Sequence, residues 1–134
     1  MPGEENVRVI KQVFDAFARR DVDATLALMD PDVEFFAPTA TLAHEGTSYR
    51  GHEGIRAYFA DVERLWEELR VTPSEYRANG NTVLVLGEIH VRGAVGYLAD
   101  SPAGWLWRLA NGKVVHGHVY TNPDEAVRDA AIAA

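Results

Sequence analysis

Cysteine is absent from this sequence, which excludes disulfides, thiolate catalysis and cysteine-based zinc sites. Basic clusters are missing too: 13 Lys and Arg stand against 20 Asp and Glu, a formal charge of −7. Nucleic-acid binding depends on such clusters, so no nucleic-acid partner is expected. No apolar run approaches the ~20 residues of a membrane span, and no membrane partner is expected either. The opening Met-Pro-Gly-Glu-Glu-Asn has neither the basic nor the apolar part of a signal peptide, which makes the protein's expected location cytoplasmic. Internal repeats, low-complexity tracts, a Gly-rich phosphate loop and a nucleophile elbow are all lacking. Residues 1–134 are therefore read as one domain, with no cofactor and no metal expected.

What is present is patterning. Gly104 to Tyr120 reads as two strands joined at Asn111-Gly112, a dipeptide suited to a tight hairpin because both turn residues take positive φ. Alternation puts Trp105, Trp107 and Leu109 on one face of the first strand. On the second, Val115, Gly117 and Val119 oppose Val114, His116, His118 and Tyr120. One face is thus apolar with a gap at Gly117, and the other carries two histidines and a phenol.

Ahead of this hairpin, Val7, Ile10, Val13, Phe14 and Phe17 recur at helical spacing. A short helix from Val22 to Met29 follows, entered through Asp21 or Asp23 and stopped by Asp30-Pro31-Asp32. Residues 33–37 read as the first strand and 38–52 as a loop. A third helix is expected over about residues 53–70, with Ile55, Tyr58, Phe59, Val62, Leu65, Trp66 and Leu69 inward, and Asp61, Arg64, Glu67 and Glu68 in water. A strand near Thr72 to Ala78 is confined to an edge or a strand start by Pro73, and Asn79-Gly80 turns it into Thr82 to Arg92. Residues 93–104 read as an irregular crossing. Asn122-Pro123-Asp124-Glu125 opens a last helix with a capping side chain, a proline at the first position and a glutamate three residues on. Helices early and strands late imply an α+β fold.

Three segments carry a resemblance: Phe14-Asp-Ala-Phe-Ala-Arg-Arg-Asp-Val-Asp23 with Leu28-Met-Asp-Pro-Asp-Val33, then Tyr49-Arg-Gly-His-Glu-Gly-Ile-Arg-Ala-Tyr-Phe59, then Asn111-Gly-Lys-Val-Val115 leading to Tyr120. In this order the chain resembles the SnoaL-like, ketosteroid-isomerase-like domains of the nuclear-transport-factor-two-like superfamily. The resemblance implies a cone-shaped, curved antiparallel sheet covered by N-terminal helices and enclosing an apolar cavity. It places Phe14, Phe17, Phe35, Ala37, Tyr49, Tyr58, Phe59, Val85, Ile89, Trp105, Trp107 and Val119 at or near that cavity. It also implies a homodimer through the sheet face, where Phe36, Leu84, Leu106, Val114 and Tyr120 would point outward.

Function is less legible, because this superfamily hosts many reactions on one fold. Where steroid isomerases carry a tyrosine and a carboxylate, this chain has Val13 and Ala37; their second carboxylate, and the aspartate of polyketide cyclases, fall at Trp105. The Arg and two Asp of limonene-type epoxide hydrolases fall near Gly87, Ile89 and Val119. All three mechanisms lose their main groups. Candidate acid–base residues are then His44, Glu45 and Asp100 on loops that rim a cavity, and the pair His116 and His118. The pair shares one strand face, expected to be the convex one, with Glu34 as a neighbour. The resemblance leaves two expectations: a cavity protein for a hydrophobic small molecule, cyclic ones included, doing cofactor-free isomerase, cyclase or hydratase chemistry, or a non-catalytic binder or dimer scaffold of the same fold.

Overall fold

The computed structural model describes residues 2–37, 48–93 and 98–133, with the backbone alone for residues 2, 65, 98–100, 132 and 133. Its elements run α1 (Pro2–Ala18), α2 (Val22–Ala27), β1 (Met29–Phe36), β2 (Tyr49–Arg50), α3 (Gly51–Leu65), β3 (Trp66–Asn79), β4 (Thr82–Gly93), β5 (Leu98–Ala110), β6 (Lys113–Tyr120) and α4 (Pro123–Ala133). Six strands form one curved, unclosed sheet in the order β2-β1-β6-β5-β4-β3. The fold is α+β, and the sheet is mixed rather than antiparallel. β1 and β6 run parallel, because β1 returns from the N-terminal helices to a place beside the last strand.

Local chemistry explains most boundaries. Asp21 caps α2, its Oδ1 accepting from the Ala24 N–H at 3.0 Å. That helix ends two residues earlier than expected, with Leu28 as its C-cap. Met29 to Asp32 joins β1, since Met29 already pairs with Val114. The hairpin Asn111-Gly112 has positive φ at both residues, 52° and 76°, as a primed two-residue turn demands. The β3–β4 loop is Gly80-Asn81, one residue later than expected, and Asn6 Nδ2 donates to the Gly80 carbonyl at 3.0 Å. Asn122 Oδ1 accepts from the Asp124 N–H at 3.0 Å and starts α4.

The largest departure is at the end of α3. The helix stops at Leu65, and Trp66 is extended at φ −128° and ψ 135°. Residues 66–79 instead pair along β4, from Trp66 against Gly93 to Asn79 against Thr82. A helix-like spacing of apolar residues is outweighed here by a 12-residue strand in need of a partner on its outer side. Pro73 sits on this edge strand at a register irregularity, as its missing N–H requires. Residues 98–104, expected within an irregular crossing, extend β5 and pair with β4 from Leu98 against Arg92 to Gly104 against Leu86.

The inner sheet face and helices α1–α3 bury one continuous core. Trp105, Trp107, Leu109, Val83, Val85, Ile89 and Val91 all belong to it. On β6 the alternation slips. A bulge lets Leu109 pair with Val114 directly after Arg108 pairs with His116, so Val115 is left over. Val114 is therefore the fully buried inward residue and Val115 is half-buried, the reverse of strict alternation. Gly117 does not leave a hole, since the Trp107 and Phe35 rings fill its space.

Across the sheet, α4 covers the other face. Leu84, Leu106, Tyr120 and Ala126 form a second buried cluster, with Leu86 and Ala130 packed against it. The approach is close: a Cβ on Gly104 would stand 2.6 Å from the Ala126 Cβ. The outward apolar patch that motivated a sheet-face homodimer is thus largely covered within the chain, leaving Phe36 half-buried.

Gly117→Ala tests the aromatic packing. Its Cβ would lie 2.6 Å from Trp107 and 2.8 Å from Phe35, rings that are stacked and buried. Overpacking of this kind costs about 1–3 kcal/mol, so the urea midpoint is expected to fall with little change in slope. An unchanged midpoint would show that the rings yield freely.

Candidate functional site

Between helices α1–α3 and the inner sheet face lies a cavity of about 40 Å³. Its wall is Val13, Phe14, Phe17, Thr25, Met29, Phe35, Ile55, Tyr58, Phe59, Val71, Trp105 and Trp107. The rings brace one another. Phe14 meets Trp105 edge-on at 5.2 Å and Trp107 at 5.9 Å, Phe35 stacks on Trp107 at 5.8 Å, and Tyr58 stands edge-on to Phe35 at 4.8 Å. Among the described residues of this wall none is a carboxylate, a histidine or a lysine.

Four wall residues carry a polar group, Thr25, Tyr58, Trp105 and Trp107. The Thr25 hydroxyl is engaged, donating to the Asp21 carbonyl at 2.9 Å. Burial holds the Tyr58 phenol well above its ordinary pKa, opposed by the nearby Arg20 charge, so it stays a protonated donor. Trp107 is 3% exposed, and its Nε1–H has no acceptor among the described residues.

Of the residues expected at the cavity, Phe14, Phe17, Phe35, Tyr58, Phe59, Trp105 and Trp107 line it. Ala37, Tyr49, Val85, Ile89 and Val119 are buried in the same core but not on its wall. Val13, Thr25, Met29, Ile55 and Val71 were not anticipated there. Val13 and Ile55 were legible as inward helix positions. Thr25 was not, being polar, nor Val71, which the sequence places between a helix and a strand.

Of the proposed acid–base residues, only His116 and His118 have described side chains. His44 and Glu45 lie outside the described residues. Asp100, on β5, pairs in register with His90 of β4, and its side chain lies outside the described ones. His116 and His118 face away from the cavity. Each ring lies 5.4 Å from Phe36, and His118 stacks on Tyr120 at 4.1 Å. The Tyr120 hydroxyl in turn donates to Asp129 of α4 at 2.7 Å. Burial lowers the pKa of both histidines; Arg108 adds to this at His116, while Glu34 opposes it there and Asp129 and Glu125 oppose it at His118. Glu34 forms its ion pair with Arg50, at 2.8 Å. No group of three or more His, Asp or Glu among the described residues is arranged to hold a metal.

Two polar features escaped the sequence pattern. Asp61, expected in water, is 7% exposed. It accepts from the Tyr49 hydroxyl at 2.6 Å and from Arg64 at 2.7 Å, tying β2 to α3. Burial first, then the Asp61 hydrogen bond, raises the Tyr49 pKa. The other is Arg20, just past α1. Its backbone closes the helix with bonds from the Arg20 N–H to the Phe17 carbonyl (2.9 Å) and the Asp21 N–H to the Ala16 carbonyl (2.9 Å). That arrangement puts residue 20 at φ 54°, a position glycine normally fills.

The chain belongs to the SnoaL-like domain family, which it matches over residues 10–117. No curated protein matches it in sequence. Among solved structures it is similar to an NTF2-like protein of unknown function from Burkholderia pseudomallei, at 28% identity and a TM-score of 0.80, covering 92% of this chain and 95% of that one. It is also similar to TerC, co-crystallised with polyporic acid, at 25% identity and a TM-score of 0.80, covering 95% and 98%. A putative SnoaL-like polyketide cyclase from Jannaschia sp., at 21% identity and a TM-score of 0.76 over 96% and 92%, shares the fold.

Acid is expected to weaken the outer face. His116 and His118 have folded pKa values below the ordinary 6.5, so between the two values the unfolded chain binds more protons. Stability from these groups is complete above about pH 6.5 and falls as pH drops below it. Melting temperature should decline between about pH 7.5 and pH 5.5, and the decline should flatten in the His116→Gln, His118→Gln double variant. An equal slope in that variant would remove the histidines as the cause. Separately, Tyr49→Phe leaves a buried carboxylate short of a donor and is expected to cost about 1–3 kcal/mol in urea unfolding.

Proposed function

We propose that this protein binds a small, flat, largely apolar molecule that carries a hydrogen-bond acceptor, in the cavity walled by Phe14, Phe35, Tyr58, Trp105 and Trp107. The observation that carries the proposal is the Trp107 Nε1–H, a buried donor without a described acceptor in that aromatic wall. A buried donor left unpaired costs about 1–3 kcal/mol, and an acceptor oxygen on a ligand would recover it. The TerC structure, co-crystallised with polyporic acid, supports the same kind of occupant.

Size sets how binding proceeds. A void of about 40 Å³ holds on the order of three waters, less than one six-membered ring. A ring therefore enters only as wall side chains turn, which makes binding an induced fit.

Binding is favoured over catalysis because proton transfer near neutral pH needs a group that titrates there. The described wall offers only a hydroxyl, a phenol held protonated and two indole N–H groups. Cofactor-free isomerase, cyclase or hydratase chemistry would require a rim residue such as His44, Glu45 or Asp100 to reach the ligand.

1-Naphthol is expected to quench the fluorescence of Trp105 and Trp107 and to raise the melting temperature of the protein. Val71→Phe, which fills the cavity from β3, should abolish both effects. Quenching that survives this variant would place the ligand elsewhere. Exchange of the α-protons of a cyclic enone in heavy water, lost on changing one rim residue, would overturn the non-catalytic reading.

A further inference from the structure

We infer that Arg20, packed on the wall residue Phe17, makes an anion-recognising subsite next to this cavity, so that the ligand is a planar aromatic or enolic acid bound with its charged group at the guanidinium. The inference rests on the cavity reading above.

Position comes first. The Arg20 guanidinium lies over the Phe17 ring, 4.1 Å from its centre. Phe17 lines the cavity and stacks on Tyr58 at 5.8 Å. Arg20 Nη1 donates to the Phe17 carbonyl at 2.6 Å and Nη2 to the Leu69 carbonyl at 2.5 Å. These bonds clamp the planar group between the end of α1 and β3. A guanidinium has five N–H donors, so the two carbonyls leave three for another acceptor.

Charge comes next. No carboxylate pairs with Arg20 among the described residues, although the chain carries 20 acidic residues. Its neighbour Asp21 is occupied on both oxygens: Oδ1 caps α2 and Oδ2 accepts from Arg19 at 3.2 Å. Arg19 holds Asp15 as well, at 3.1 Å. Among the described residues no carboxylate cancels the charge of this half-buried cation, and the protonated Tyr58 phenol stands within reach of its field. Arginine in a left-handed position that glycine suits better is a local cost that a recognition role would explain.

Benzoate and benzamide share one planar ring and nearly one shape but differ in charge. Their binding to the full chain is read by tryptophan quenching and by calorimetry at low salt. The wild type is expected to hold benzoate about ten-fold tighter than benzamide. Arg20→Asn keeps a residue that accepts the left-handed backbone and should weaken benzoate far more than benzamide, bringing the two affinities together. Arg20→Gly serves the same comparison if the asparagine variant is too unstable. A wild type that binds both probes equally, or a preference that survives in the variants, would overturn the inference and leave the cavity reading standing. Failure of both probes to bind would overturn the two together. A fall in melting temperature alone, with the preference intact, would reduce Arg20 to a helix cap.

Discussion

The indole of Trp107 lies where a side chain at 117 would otherwise stand. β6 pairs with β5 so that Trp107 faces Gly117, and with β1 so that Phe35 faces the same glycine. One missing Cβ therefore lets rings from both neighbouring strands meet, nearly parallel at 13°. Phe14 from α1 and Tyr58 from α3 then close on this pair edge-first. Large planar groups tile space imperfectly, while protein interiors otherwise pack like organic crystals. The cavity is the remainder of that tiling. Its wall is consequently rich in aromatic rings.

A sheet with helices on one side alone would leave Leu84, Leu106 and Tyr120 in water. α4 removes that exposure and is held by both apolar and polar contact, Ala126 against Gly104 and Asp129 against the Tyr120 hydroxyl. Covering the central strands on both faces has a consequence at the sheet's other end. Phe36, His116 and His118 form a half-buried aromatic ladder outside the helix, where burial lowers the histidines' pKa. Two histidines on one strand face are a candidate acid–base pair in sequence, though alternation assigns them to the convex face. In the fold they are separated from the cavity by the sheet itself.

Period-two and period-three-to-four patterns made most elements legible, because each has one buried face. The apolar set on β4 and the Trp105, Trp107, Leu109 row were visible in this way. Legibility failed wherever a pattern depended on partners distant in sequence. Leu65, Trp66 and Leu69 continue a helical stripe, yet strand pairing with β4 claims residues 66 onward. The bulge that turns Val114 inward leaves no local mark, since either valine suits a buried position. Asp61 looked solvated because its helix neighbours are charged, and only the approach of Tyr49 buries it. Arg20 read as one of two arginines in a row. What distinguishes it is that Arg19 takes the nearby carboxylates and Arg20 does not.

An overall charge of −7 argues at first sight against an anionic ligand. The objection weakens on distance. Exposed carboxylates act through water and salt, which screen them beyond a Debye length of ~8 Å. The Arg20 cation is half-buried and fixed by two carbonyls, so at contact it acts in a less polar medium, where the same charge counts for several times more. Long-range repulsion would slow the encounter, and the local charge would decide what stays bound. On the proposed reading, a net acidic surface around one clamped cation would also reject weakly held anions, because only a ligand whose apolar body fills the aromatic wall would gain enough to remain.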